Sequence, residues 1–202
     1  MSVERLRLVL ATRNRNKVLE IQAALAESAV QILSLEAFPE ASEVVEDRET
    51  LEGNAGKKAL IIHQHTGLAA MADDTGLFVE ALDGAPGVRS SRYAGERVSY
   101  QENLNKLLFE MRSVPLEKRG ARFVTVVALA QNGRVHLVRG ECTGSIAFAP
   151  RGEGRFGYDP VFIVAGQNRT YAEMPLSEKN LISHRGRALA EFKKLLTQLG
   201  LV

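Results

Sequence analysis

Two adjacent carboxylates, Asp73 and Asp74, stand in the stretch MADDTGLF, between apolar residues and just ahead of Gly76. Carboxylates at the end of an apolar strand have two uses. They cap a turn and meet water, since Asp and Gly are common turn residues. Alternatively they hold a hard cation, because Mg²⁺ bound to phosphates takes one or two carboxylates and keeps several waters. Neighbouring side chains on a strand point to opposite faces, so the pair does not act as one bidentate unit. A second acidic run, Glu43 to Glu52 (EVVEDRETLE), offers another metal ligand or a solvated loop. Thr50 within it suits the N-cap of a following helix, and composition does not single out Glu46 from its neighbours.

The loop Thr12-Arg13-Asn14-Arg15-Asn16-Lys17 gathers hydroxyl, amide and cationic groups. At a helix N-terminus, free N–H groups and the positive dipole end favour anions, and phosphate is the natural guest. The spacing is not that of a Walker A loop, and a solvated strand-to-helix turn is the plainer alternative. Near the C-terminus, Phe156-Gly157-Tyr158-Asp159-Pro160 places an aromatic ring beside a glycine. Such a ring either packs in the core or stacks on a base, worth about 1–3 kcal/mol in single-strand binding proteins. Lys179 and Arg185 only donate hydrogen bonds and an ionised Asp159 only accepts them, so together they are able to read a purine edge. His184-Arg185 by itself reads as a helix start.

The elements that must hold these residues follow from hydrophobic period. Leu6 to Ala11 reads as a strand entering the core, and Asn16 onward as a helix with Val18, Ile21 and Leu25 on one face. Val30 to Leu35 returns as a strand, Leu51 to His65 is helical despite two glycines, and Gly67 to Ala72 is a buried strand ending at the acidic pair. Leu104, Leu107, Leu108 and Met111 keep helical spacing. Arg122 to Ala130 and Arg134 to Arg139 flank Asn132-Gly133, a strong hairpin signal. Leu189, Phe192, Leu196 and Leu199 mark a closing helix. Strand–helix units followed by a long hairpin predict an α/β fold with a mixed sheet. No composition shift marks a domain boundary, so residues 1–202 read as one domain.

With 45% apolar and 25% charged residues the chain has the balance of a soluble globular protein, not of a disordered one. The net charge of +2 permits an anionic partner without demanding one, and there is no basic stripe of the kind that binds nucleic acid. The single cysteine, Cys142, excludes an intrachain disulfide and a cysteine zinc cage, which points to a reducing, cytoplasmic setting. The four histidines show no metal-ligand spacing. The charges at Glu4, Arg5 and Arg7 and the short apolar stretch beside them do not make a signal peptide, and no apolar run is long enough to span a membrane.

In order along the chain, TRNRNK, ETLEGNAGKKA, ADDTGL, GAPGVRSSRYAGE, FGYDPVF and EKNLISHRGRAL resemble the inosine triphosphate pyrophosphatase, or Ham1-like, family, from about residue 6 to the C-terminal helix. Each motif is weak alone, and six in register are specific. The resemblance implies an elongated mixed β-sheet flanked by helices, with two lobes and a central substrate cleft. It implies a Mg²⁺-dependent, homodimeric enzyme that hydrolyses ITP, dITP and XTP to the monophosphate and pyrophosphate. By that resemblance Thr12, Arg13, Asn14, Arg15, Asn16 and Lys17 form the triphosphate loop and Lys58 is a second phosphate contact. Asp74 is similar to the catalytic base, Glu46 and Asp74 to the metal ligands, and Thr75 to a substrate contact. Phe156, Gly157, Tyr158, Asp159, Lys179, His184 and Arg185 fall where the family holds the base and nearby groups. Asp73 is left to support the turn or to orient its neighbours.

Two departures stand out. Family members often carry Glu directly before the Asn-Ala pair, where this chain has Gly53, with Glu52 one place earlier; Pro175 replaces a common Ser or Thr in AEMPLSEKN. Two alternatives remain open at this level: a Maf-like pyrophosphatase with pyrimidine or modified substrates, and a nucleic-acid-binding module.

Overall fold

The computed structural model describes residues 5–154 and 156–202, so the first four residues of the N-terminal segment lie outside it, as does Arg155. Its strands are β1 (Leu6–Leu10), β2 (Val30–Ser34), β3 (Ala69–Val79), β4 (Pro86–Gly87), β5 (Gly120–Gln131), β6 (Arg134–Ile146) and β7 (Phe162–Val164). Its α-helices are α1 (Arg15–Leu25), α2 (Leu51–Thr66), α3 (Tyr100–Glu110), α4 (Leu176–Ile182) and α5 (His184–Gln198). The described strands form one sheet in the order β2-β1-β3-β5-β6-β7, with β4 on β3. β1 runs parallel to β2 and β3, whereas β3–β4 and β6–β7 are antiparallel. The fold is therefore mixed α/β.

Local chemistry sets the element ends. Thr50 accepts from the Gly53 N–H at the start of α2, and Gly67 ends that helix at φ +69°, the left-handed region where a side chain is strained. Ser99 and Glu102 cap α3 reciprocally. Asn132 and Gly133 both carry positive φ between β5 and β6, as a two-residue hairpin turn requires.

The chain divides into two compact units, the first holding Met1–Asp74, Thr125–Gly140 and Arg185–Val202, the second Thr75–Val124 and Glu141–His184. In the first, Ile21 and Leu25 of α1 and Leu189, Phe192 and Leu196 of α5 share a core with Leu8, Leu10, Met71, Val127 and Leu129 of the sheet. Val9, Ala70 and Ala128, of opposite strand parity, are buried too, so both faces of these strands are dry. The second unit packs α3 through Leu104 and Leu107 with Phe123, Ile146, Val161, Phe162 and Tyr171.

Several elements differ from the sequence reading. β3 does not end at the acidic pair but continues to Val79, pairing with β4 through Leu77 and Phe78. The carboxylates are buried and paired within the first unit, which removes the reason to stop at water. β6 runs on to Ile146, and β7 and α4 were not anticipated, because three and seven residues are too short to establish a period.

Arg119 organises the second unit through backbone carbonyls. It is 1% exposed. Its guanidinium donates to the carbonyls of Ile146 (2.6 Å), Met111 (2.7 Å), Val114 (3.1 Å) and Ala147 (3.0 Å). Each buried acceptor left without a donor costs about 1–3 kcal/mol. Arg119→Met is expected to lower the unfolding free energy by about 3 kcal/mol or more, measured from urea midpoints, with Arg119→Lys recovering only part because an ammonium cannot span four separated carbonyls.

Candidate active site

The first unit buries a chain of alternating charges. Asn14 caps α1, its side chain accepting from the N–H groups of Asn16 (3.1 Å) and Lys17 (3.4 Å), while its own N–H meets the Thr12 hydroxyl at 3.2 Å. Thr12 and Asn14 therefore shape the loop. Arg13 donates to the Ala41 carbonyl at 3.0 Å, and Arg13, Arg15 and Asn16 are exposed at the surface. Lys17, one helical turn inward, reaches Asp73 Oδ1 at 3.1 Å. Arg185 places Nε at 3.1 Å and Nη2 at 3.0 Å from Asp73 Oδ2, and its Nη1 pairs with Glu20. Burial alone would raise the Asp73 carboxyl, but Lys17, Arg185 and Lys58 hold it well below the usual carboxylate range. The Arg185 guanidinium is raised in turn: burial works against its charge, and Asp73 and Glu20 outweigh burial.

Asp74 points the other way along the pleat, into a second cluster. Lys58 Nζ lies 2.5 Å from Glu46 Oε1, 2.7 Å from the Asp73 carbonyl and 3.9 Å from Asp74 Oδ1. Asn54 Nδ2 donates to Asp74 Oδ2 at 3.0 Å. Burial pushes the Asp74 carboxyl up to about 6 and the charge of Glu46 adds to this, against the pull of Lys58 and Lys17. Burial opposes the Lys58 charge, but Asp74, Glu46 and Asp73 overcome it and raise its affinity for the proton. Two carboxylates thus share one ammonium, and the surplus negative charge is what a divalent cation would neutralise. Among the described residues no group of three or more His, Cys, Asp or Glu forms a metal cage. A pair of carboxylates is nonetheless what Mg²⁺ asks of a protein when substrate phosphates supply further oxygens.

In the second unit Lys179, 5% exposed, pairs with Asp159 and lies 5.2 Å from the Phe156 ring and 5.4 Å from that of Tyr171. Phe156 is half-buried with the edge of Tyr100 against it at 5.5 Å. Gly157, at φ +54°, makes the turn after it, a conformation in which any side chain would be strained. His184 stacks on Phe123 at 4.3 Å and 15°. Tyr158 is a core residue whose hydroxyl donates to the Ser90 carbonyl at 2.9 Å. Thr75, the next residue on β3 after Asp74, is half-buried.

A sequence profile of the Ham1 family matches residues 8–195. The chain belongs to the Ham1 family. The dITP/XTP pyrophosphatase of Geobacter sulfurreducens is 51% identical over 196 residues, covering 96% of this Ham1 chain and 98% of the relative. That of Desulforamulus reducens is 47% identical over 195 residues, with 96% and 97% covered. Among solved structures, a Ham1 protein from Coxiella burnetii superposes with a TM-score of 0.86 at 39% identity, over 96% of this chain and 99% of its own. A dITP/XTP pyrophosphatase from Mycobacterium abscessus gives 0.75 at 43% identity, over 93% and 98%.

Within this Ham1 chain most of the charged and aromatic residues singled out by motif fall into two groups. Lys17, Glu46, Lys58, Asp74 and Arg185 gather around Asp73 in the first unit, and in the second Lys179 meets Asp159, Phe156 and Tyr171, with His184 against Tyr171. Three nitrogens of Arg185 meet Asp73 and Glu20. Glu20 and Asn54 were missed. Both were in view, Glu20 three residues after Lys17 and Asn54 four before Lys58 on the same helical face.

Asp73→Asn tests the charge chain. Removing one member of a buried pair costs about 3–5 kcal/mol. Because its folded-state affinity for protons is depressed, Asp73 contributes stability above the ordinary carboxylate range and loses it as pH falls through that range and below. The deficit of the variant in urea unfolding is expected to be full at pH 7 and to narrow steadily below about pH 4; a deficit independent of pH would contradict the ionised pair.

Proposed function

We propose that this Ham1 chain is a hydrolase that cleaves non-canonical purine nucleoside triphosphates, ITP, dITP and XTP, to the monophosphate and pyrophosphate, keeping them out of DNA and RNA. The observation that carries the reading is the Glu46–Lys58–Asp74 cluster, buried at Lys58 and Asp74 and half-buried at Glu46, where two carboxylates face one ammonium. The pyrophosphatase names of relatives at about half identity support it.

Water attacking the α-phosphorus needs neutralised phosphate charge, correct placement and a proton acceptor. Lys17 and Lys58 neutralise phosphate oxygens, and the exposed cations Arg13 and Arg15 add to the local positive field. Mg²⁺, held by Glu46 and Asp74, supplies further charge neutralisation when bound. Asp74, pushed up to about 6 by burial and by Glu46, is tuned toward neutral pH as a base that takes the proton of the attacking water. The β-phosphate leaves as part of pyrophosphate.

In the second unit Phe156 offers a face to the base, while Lys179 and Asp159 provide a donor and an acceptor. Hypoxanthine and xanthine carry an acceptor oxygen at position 6, where adenine carries a donor amine. A donor facing a donor leaves buried groups unpaired, and such sites discriminate by about 10⁴-fold or more. We further infer that the two units serve one reaction as a single domain, that the protein is a cytoplasmic homodimer, and that it works without nucleic acid or membrane. Among the described residues no helix is long and apolar enough to cross a membrane.

Pyrophosphate release from ITP, XTP, GTP and ATP, with Mg²⁺ and with chelator, tests the reading. Metal-dependent release from ITP and XTP with little from GTP and ATP is expected, whereas equal turnover of ATP and ITP, or release of orthophosphate, would remove it. Asp74→Asn should lower kcat for ITP by about 10²-fold or more; full turnover in that variant would refute both roles given to Asp74.

A further inference from the structure

Asn54 lies in the first turn of α2, 1% exposed. Its Oδ1 accepts from the Arg48 backbone N–H at 2.9 Å, and its Nδ2 donates to the Arg48 carbonyl at 3.3 Å and to Asp74 Oδ2 at 3.0 Å. These contacts fix the sense of the amide. A backbone N–H must meet an oxygen, so the nitrogen end of Asn54 faces the carboxylate. Turned over, the side chain would set donor against donor at Arg48 and oxygen against oxygen at Asp74.

We propose that Asn54 is a positioning residue for Asp74, an inference that rests on the reading of Glu46 and Asp74 given above. By holding Oδ2 it directs Oδ1 toward Lys58, 3.9 Å away. The same amide is itself held by the Arg48 backbone N–H and carbonyl, which keeps its nitrogen on Asp74. A neutral donor suits this task. It orients the carboxylate without cancelling the charge that attracts a cation, as a second lysine at that place would. Lys57 offers the natural comparison, because it tethers the same loop through the Val45 carbonyl (2.9 Å) and Asp47 (2.8 Å), and neither bond involves Asp74.

The partners that orient ligating groups are worth about 10–100-fold in metal affinity or activity. Asn54→Ala is expected to lower kcat for pyrophosphate release from ITP by about that factor, with KM changed less than about threefold. Lys57→Met should keep both constants within about threefold of the parent. In the Asp74→Asn background, Asn54→Ala should cause no further loss, since it acts through the group already removed. Mn²⁺ titrated into nucleotide-free protein and followed by paramagnetic resonance should bind Asn54→Ala about 10–100-fold more weakly, and Lys57→Met as the parent.

Asn54→Asp, which keeps the acceptor for Arg48 but loses the donor, serves if the alanine variant does not fold, and is expected to be equally impaired. Parental kcat and Mn²⁺ affinity in the Asn54 variants, an equal loss in Lys57→Met, or additive losses in the double variant would overturn the proposal. A parent that releases no pyrophosphate from ITP or XTP would sink the substrate reading instead, and the Mn²⁺ titration would still decide the role of Asn54.

Discussion

The carboxylate of Asp73, fully shielded on β3, is the constraint around which the first unit is arranged. An ionised carboxylate in that position is tolerated only with paired charges and satisfied oxygens. Lys17 comes from α1 and Arg185 from α5, so the helices that cover the strands are also tied to it by charge. Glu20 completes the set, and two carboxylates meet two cations. The result orients rather than reacts. Asp73 holds Lys17 beside the strand-to-helix loop, and its own main-chain carbonyl receives Lys58 at 2.7 Å.

The neighbouring cluster is built to a different balance. Glu46 and Asp74 face Lys58, one positive charge for two negative ones. Burial and mutual repulsion lift the Asp74 carboxyl to about 6, so its ionised form is strained at neutral pH. An ionised Asp74 in that setting gains from any added positive charge or from a proton. Adjacent residues on one strand thus acquire opposite characters because the pleat sends them to opposite faces, one with compensating charge in full and one without.

The second unit uses aromatic packing for a similar end. Phe123 is stacked on His184 and packed against Phe162 and Tyr171, and Lys179 lies near Tyr171 while pairing with Asp159. The rings exclude water from the ion pair, which strengthens its electrostatics and holds its geometry. Arg119 ties the segment after α3 to the end of β6 through the carbonyls of Met111, Val114, Ile146 and Ala147.

Much of this was legible in the residues. Short-range signals gave helices α1, α2, α3 and α5 from their apolar spacing, the hairpin from Asn132-Gly133, and the start of α2 from Thr50, because caps, turns and periodicity act over a few residues. The motifs located the acidic pair, the loop at Thr12 to Lys17 and the residues around Phe156. What lay beyond reach was which charge would meet which. Arg185 finds Asp73 across 112 residues and Glu20 across 165. The different fates of Asp73 and Asp74, the grip of Asn54 on Asp74, and the continuation of β3 past both depend on those distant partners. Local sequence sets which groups are available and on which element; the pairing of buried charges is set when the sheet and its helices come together, since only then does each ion lose water and require a specific neighbour.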